Sequence, residues 1–164
     1  MGKYCHSLAE LESFKKMTNA EKIAQSVELT TSKNGQYEFF IDTPQHQPGP
    51  RLNIVGHGDK GGQTFQGDIP GATLLSPSQL GILLQPQIRE TGAKSIRLVS
   101  CRSSSTGFAQ ALANQLDLPV KAPVGSVTMF EVMKNRFWIL KRTYINPHRP
   151  EDHLWHWHFP NRQD

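Results

Sequence analysis

At 164 residues, with 37% hydrophobic and 20% charged side chains, the chain has material for one domain with an ordinary core, and residues 1–164 are read as a single domain. No stretch approaches the ~20 apolar residues of a membrane-spanning helix, and the amino-terminal MGKYCHSLAELESFKK has no apolar block ahead of its charges, so neither a membrane span nor a secretory leader is expected. The formal net charge of +4 is too mild to argue for a nucleic-acid partner by itself.

In chain order, Leu8, Leu11, Phe14 and Met17 fall at helical spacing, and Thr18-Asn19-Ala20-Glu21 reads as a cap opening a second short helix to about Val27. Glu28–Thr31 and Tyr37–Asp42 then flank Lys33-Asn34-Gly35, a hairpin signal because Asn and Gly both tolerate positive φ. Residues 43–50 hold three prolines and a glycine and read as an exposed connection, open to cleavage.

From Arg51 onward the pattern alternates. Arg51–Val55 is a short apolar run, 76–91 reads as a helix opened by Ser76-Pro77 and kinked or split at Pro86, and Ser95–Val99 is a second apolar run. Phe108–Leu116 carries Phe108, Ala109, Leu112, Ala113 and Leu116 on one helical face, and Pro119–Ala122 is a third strand. This β-α-β-α-β order predicts an α/β fold with a central, mostly parallel sheet flanked by helices, because parallel strands need crossovers. An amino-terminal hairpin precedes it. A β-rich tail follows, with strands at Val127–Met133 and Phe137–Ile145 around Lys134-Asn135-Arg136, and a period-two run at Leu154–Phe159.

The positive charge is concentrated in the tail. Between residues 118 and 149, Lys121, Lys134, Arg136, Lys141, Arg142 and Arg149 face only Glu131, a local excess of +5. Such a window is either a solvated face or a docking surface for a polyanion, and steep salt dependence is the mark of the second. Two cysteines, Cys5 and Cys101, are too few for a disulfide-stapled scaffold, so a free Cys101 in a reducing compartment is expected.

Chemistry in an open parallel sheet gathers beyond the carboxyl ends of the strands. The first strand there delivers Gly56-His57-Gly58 and the second Ser100-Cys101-Arg102-Ser103, bringing an imidazole and a thiol to the same edge. That pair suffices for thiol catalysis, since imidazole favours the thiolate and later protonates the leaving amine. Gly56 and Gly58 let backbone approach a substrate, and the N–H groups of Gly58 and Cys101 are the candidate oxyanion donors. Ser103 to Thr106 are expected to cap the helix near Gly107, whose dipole would favour the thiolate. The run His153-Leu154-Trp155-His156-Trp157-His158 lacks the third and fourth ligands of a metal site, so no metal is expected.

The same residues carry a family resemblance. Strand, His-Gly, crossover, strand, small residue-Cys resembles the caspase-like (clan CD) cysteine peptidases. Asn53-Ile54-Val55-Gly56-His57-Gly58 with Leu98-Val99-Ser100-Cys101 is most similar to the autoprocessing peptidase domains of large bacterial toxins, over about residues 51–127. The resemblance implies a caspase-like fold with Cys101 as nucleophile, His57 as acid/base, and Gly58 with the Cys101 backbone as oxyanion site. It implies an upstream Asp to orient His57, for which Asp42 is the sole Asp in that position, although a backbone carbonyl serves equally well.

No cofactor is required on this reading. An inositol hexakisphosphate-like activator is implied by the resemblance, with Lys121, Lys134, Arg136, Lys141 and Arg142 in the corresponding region. The expected partner is a protein substrate or the parent polypeptide of a secreted bacterial toxin or effector acting in a target-cell cytosol; a cytoplasmic protein is the alternative, and nucleic acid is not expected. A thiol-dependent deamidase or transferase would use the same residues, and a non-catalytic interaction domain of a toxin or adhesin system would need none of them.

Overall fold

Strands buried on both faces lose the alternation of a surface strand, and two segments here do so: every side chain of Ser95–Val99 is buried, as are all but His57 in Arg51–Gly58. They are the centre of the sheet. The computed structural model describes residues 16, 18, 20, 21, 26–28, 32–59, 61, 64–132, 135–139 and 154–161, with backbone alone at 26–28, 128–132 and 135–139. Its elements are β1 (Ser26–Glu28), β2 (Ser32–Lys33), β3 (Glu38–Asp42), β4 (Arg51–Gly58), β5 (Phe65–Gly67), α1 (Pro77–Thr91), β6 (Ser95–Val99), α2 (Phe108–Leu116), β7 (Val120–Pro123), β8 (Thr128–Val132), β9 (Asn135–Ile139) and β10 (Trp155–His158).

The chain is α/β, with a seven-stranded mixed sheet in the order β10-β7-β6-β4-β3-β2 and β5 continuing beside β4 beyond β3. The expectation of a mostly parallel sheet is corrected. The β4–β6 and β6–β7 pairings are parallel, while β3, β5 and β10 join antiparallel. Crossover helices dictate parallel pairing only for the strands they connect; β3 reaches β4 through a short connection, which returns the chain antiparallel.

Both crossovers step in one direction, β4 to β6 to β7, and right-handed crossovers that do so leave their helices on one face. Accordingly Leu80 and Leu84 of α1 and Phe108, Ala109 and Leu112 of α2 share one core with Leu52, Ile54, Ile96, Leu98 and Val120. Each fully buried leucine, isoleucine or valine among them contributes about 1.5–3 kcal/mol. The helices touch closely enough that a Cβ on Gly81 would lie 2.6 Å from Gln115 Cγ. The opposite face holds a smaller cluster of Val55, Val99 and Val127, with Phe40 and Trp155 against it.

α1 starts where Ser76-Pro77 indicates: Ser76 Oγ accepts the Gln79 N–H at 3.1 Å and Gln79 Oε1 accepts the Ser76 N–H at 2.9 Å, a reciprocal cap worth about 1 kcal/mol. Pro86 does not split it. The carbonyl that Pro86 strands is that of Ile82, whose side chain is 61% exposed, so this side of the helix faces water.

Three amino-terminal expectations change. Thr18 Oγ1 does accept the Glu21 N–H at 3.1 Å, but Val27 belongs to a strand, β1, which pairs with β9 in a separate three-stranded sheet. The hairpin partner of β3 is β2, in register Lys33 with Glu38. Its turn is not the positive-φ type, because neither Asn34 nor Gly35 has positive φ; Asn34 Oδ1 instead accepts the N–H groups of Gln36 and Tyr37. The expected helix around Leu8–Met17 lies outside the described residues but for Lys16.

In the tail, β8 and β9 pair antiparallel with Val132 opposite Asn135, a tighter hairpin than expected, and the expected strand beyond Ile139 lies outside the described residues. Among the described residues no helix is long and apolar enough to cross a membrane.

Candidate functional site

The parallel register sets Val55 opposite Val99, so His57 and Cys101 each follow two residues beyond a paired position, at neighbouring strand ends. Gly58 closes the gap. A Cβ there would lie 2.5 Å from the Cys101 carbonyl oxygen and 2.7 Å from Ser100 Oγ, so only glycine lets the two chain segments approach this closely. Phe65 exchanges its backbone hydrogen bonds with Leu75, at 2.8 Å each, so Gly58 opposite it turns its own N–H toward the β6 side and Cys101.

The imidazole is held by a residue the sequence reading missed. His57 Nε2 lies 3.2 Å from Asp68 Oδ1. Asp68 follows β5, which returns antiparallel to β4 with Gln66 opposite His57, so the hairpin carries the carboxylate back to the ring. Its signal was a glycine-rich loop followed by Phe65-Gln66-Gly67-Asp68, a strand returning beside His57.

Asp42 does not orient His57. It pairs with Arg51, six residues before His57 along β4, which sets it roughly 20 Å from the ring. There Asp42 accepts from Arg51 Nε at 2.9 Å and Arg51 Nη2 at 2.7 Å, from Arg97 Nη2 at 3.1 Å and from Asn53 Nδ2 at 2.8 Å. Arg97 Nε in turn donates to Asn53 Oδ1 at 2.6 Å. Burial pushes the Asp42 carboxyl up, but these hydrogen bonds and the charges of Arg97 and Arg51 outweigh it, and its pKa is lowered. Arg97, desolvated and beside Arg51, is pulled down to about 10 despite Asp42, and stays charged at neutral pH.

Cys101 is 5% exposed, and its Sγ accepts the Val127 N–H at 3.3 Å. It is not the expected free thiol: the sulfur is in a disulfide. The chain's other cysteine, Cys5, lies outside the described residues. Too few cysteines for a scaffold still allow a single bond.

The turn after Cys101 is unusual. Arg102 has φ 56°, a left-handed conformation that costs a non-glycine residue about 1–3 kcal/mol, and its N–H donates to the Gly125 carbonyl at 2.7 Å. The hydroxyls beyond it do not cap α2, whose cap is Gly107 at φ 88° with no side-chain bond. Ser103 Oγ donates to the Ser100 carbonyl, Ser105 Oγ to the Val124 carbonyl and Thr106 Oγ1 to the Arg102 carbonyl, so they stitch the turn together.

His158 is taken up structurally, with Nε2 2.7 Å from Ser104 Oγ and Nδ1 3.3 Å from Gln110 Oε1. Burial and neighbouring His156 lower its pKa, which disfavours the protonated ring. Among the described residues no group of three or more His, Cys, Asp or Glu is arranged to hold a metal ion.

Of the basic window, Lys121 is described with its side chain, whereas Arg136 is given as backbone in β9 and Lys134, Lys141 and Arg142 lie outside the described residues. Lys121 stands with Arg51 around a cavity of about 280 Å³ that also borders Thr43, His46 and Trp157. Residues 43–50 are therefore not a wholly exposed connection: Pro44 is buried and their first half walls this cavity.

No curated protein matches the chain, and no solved structure does. A family model described as "Domain of unknown function (DUF8616)" matches residues 25–139, from β1 through the parallel core to β9. That span holds His57, Asp68 and Cys101 together with Asp42, Arg51 and Lys121, and on this match the chain belongs to the DUF8616 family.

Proposed function

We propose that the chain is a cysteine peptidase of caspase-like type, in which reduced Cys101 is the nucleophile, His57 the acid/base and Asp68 the residue that positions His57. The observation that supports this most is the β4–β6 register, with Gly58 against the Cys101 backbone, which brings imidazole and sulfur to one edge. Asp68 at Nε2 leaves Nδ1 for the thiol. The strained Arg102 next to Cys101 fits a turn shaped for chemistry.

A dithiol reductant first opens the disulfide, supplying two electrons and two protons and leaving the Cys101 thiol. His57 then takes the thiol proton, the thiolate attacks the peptide carbonyl, and the oxyanion is met by backbone N–H groups such as that of Gly58. The C–N bond breaks as His57 protonates the leaving amine. Water attacks the thioester, His57 accepts its proton, and the thiol leaves.

The test is the alkylation rate of Cys101 by iodoacetamide in fully reduced protein, resolved from Cys5 by peptide mass. Wild-type Cys101 is expected to react faster than Cys5 near pH 7, to slow by about tenfold in His57→Ala, and to change its pH profile in Asp68→Asn. A Cys101 slower than Cys5, or indifferent to His57→Ala, overturns the proposal.

The disulfide itself favours a second reading, a non-catalytic interaction domain with a structural Cys101. On that reading Cys101→Ala keeps partner binding and biological effect, whereas the peptidase loses its effect while staying folded.

A further inference from the structure

Three cations and one carboxylate meet on the helix-free face, where Asn53, Arg97 and Lys121 stand in register across β4, β6 and β7 and Arg51 lies two residues before Asn53 on the same face of β4. The side chains of Arg51 and Arg97 are 7% and 11% exposed. Asp42 is already saturated: its two oxygens accept four donors, from Arg51, Arg97 and Asn53. Lys121 has no carboxylate of its own among the described residues; its ammonium lies 5.8 Å from the Trp157 ring centroid, with the Arg51 guanidinium 6.0 Å from the same ring. Among the described residues a local excess of two positive charges is thus left in a half-enclosed place, where water screens it poorly.

That excess borders the cavity of about 280 Å³, into which Thr43 and His46 add polar groups from the loop after β3. Burial, then Arg51 and Arg97, lower the Lys121 pKa against the pull of Asp42, an independent sign that its charge is opposed. An ammonium so situated gains most from an anion.

We infer that this cavity binds a small phosphate monoester, its dianionic phosphate held by Lys121 and Arg51 beside Trp157. A monocarboxylate would neutralise only half of the excess. The cavity lies near the lower end of small-molecule pockets, ~300 Å³, which suits one phosphate on a small body. It borders the amino ends of the parallel strands, the far end of β4 from His57, and the inference stands whether or not Cys101 is catalytic.

Glycerol 3-phosphate is the probe, titrated into the full chain by calorimetry at chloride-matched ionic strength, with glycerol as the uncharged control. Saturable binding is expected for wild type, with Kd raised about tenfold in Lys121→Gln and nearly preserved in Lys121→Arg. Circular dichroism and the unfolding midpoint check that each variant is folded. No saturable binding to wild type up to about 10 mM, or equal Kd in wild type and Lys121→Gln, overturns it.

Discussion

Asp42→Ala is expected to destabilise the protein by about 3 kcal/mol, because it leaves Arg51 and Arg97 charged, buried and without their carboxylate. The lower end of the range for broken buried pairs applies, since Asp42 itself is 30% exposed. Urea midpoints measure the loss, and pH tests its cause. The Asp42 pKa is lowered on folding, so its contribution is full above the unfolded value of about 4 and is lost as pH falls through the folded value. Wild type should therefore lose stability across that acid window, while Asp42→Ala, already without the carboxylate, should lose less. Equal midpoints at neutral pH would mean that the network contributes nothing.

Gly58→Ala is expected to be at least as damaging, about 3 kcal/mol or more. The added methyl would meet the Cys101 carbonyl, a backbone atom that cannot swing aside as a side chain tip can. Either β4 or the turn at Cys101 must move, so the substitution should also change the alkylation rate of reduced Cys101. Gly35→Ala is the control: no heavy atom lies within 4 Å of its Cβ and its φ is not positive, so the midpoint should stay within about 0.5 kcal/mol of wild type. A Gly58→Ala protein as stable as that control would contradict the close approach of the two strand ends.

What could be read in advance follows from which forces are local. β6 and α2 begin and end where periodicity puts them, and α1 starts at its Ser76 cap, because a continuous apolar run, a helical stripe and a capping box are properties of adjacent residues. The mixed sheet was not legible, since the pairing of β3, β5 and β10 depends on segments far apart in sequence. Asn34-Gly35 misled for a related reason: the side chain of Asn34 supplies an alternative turn in which no residue needs positive φ.

The site divides in the same way. His57 and Cys101 were legible as strand ends, but Asp68 was passed over for Asp42 because only an upstream Asp was sought. Arg51, Asn53 and Arg97 held a clue in their spacing: polar residues at alternate positions of otherwise apolar strands mark one face. Sequence cannot say whether that face meets water or, as here, a carboxylate in a partly covered pocket.

The single direction of the two crossovers also bears on how the molecule opens. Apart from Tyr37 and Phe39, the helical layer's core comes from one unbroken stretch between Leu52 and Ala122, so its contacts can form or break together. That stretch should behave as one cooperative unit in amide hydrogen exchange, with Ile54, Ile96 and Leu98 protected longest and β2 and β10, at the sheet's two edges, exchanging through smaller openings that leave the parallel centre intact.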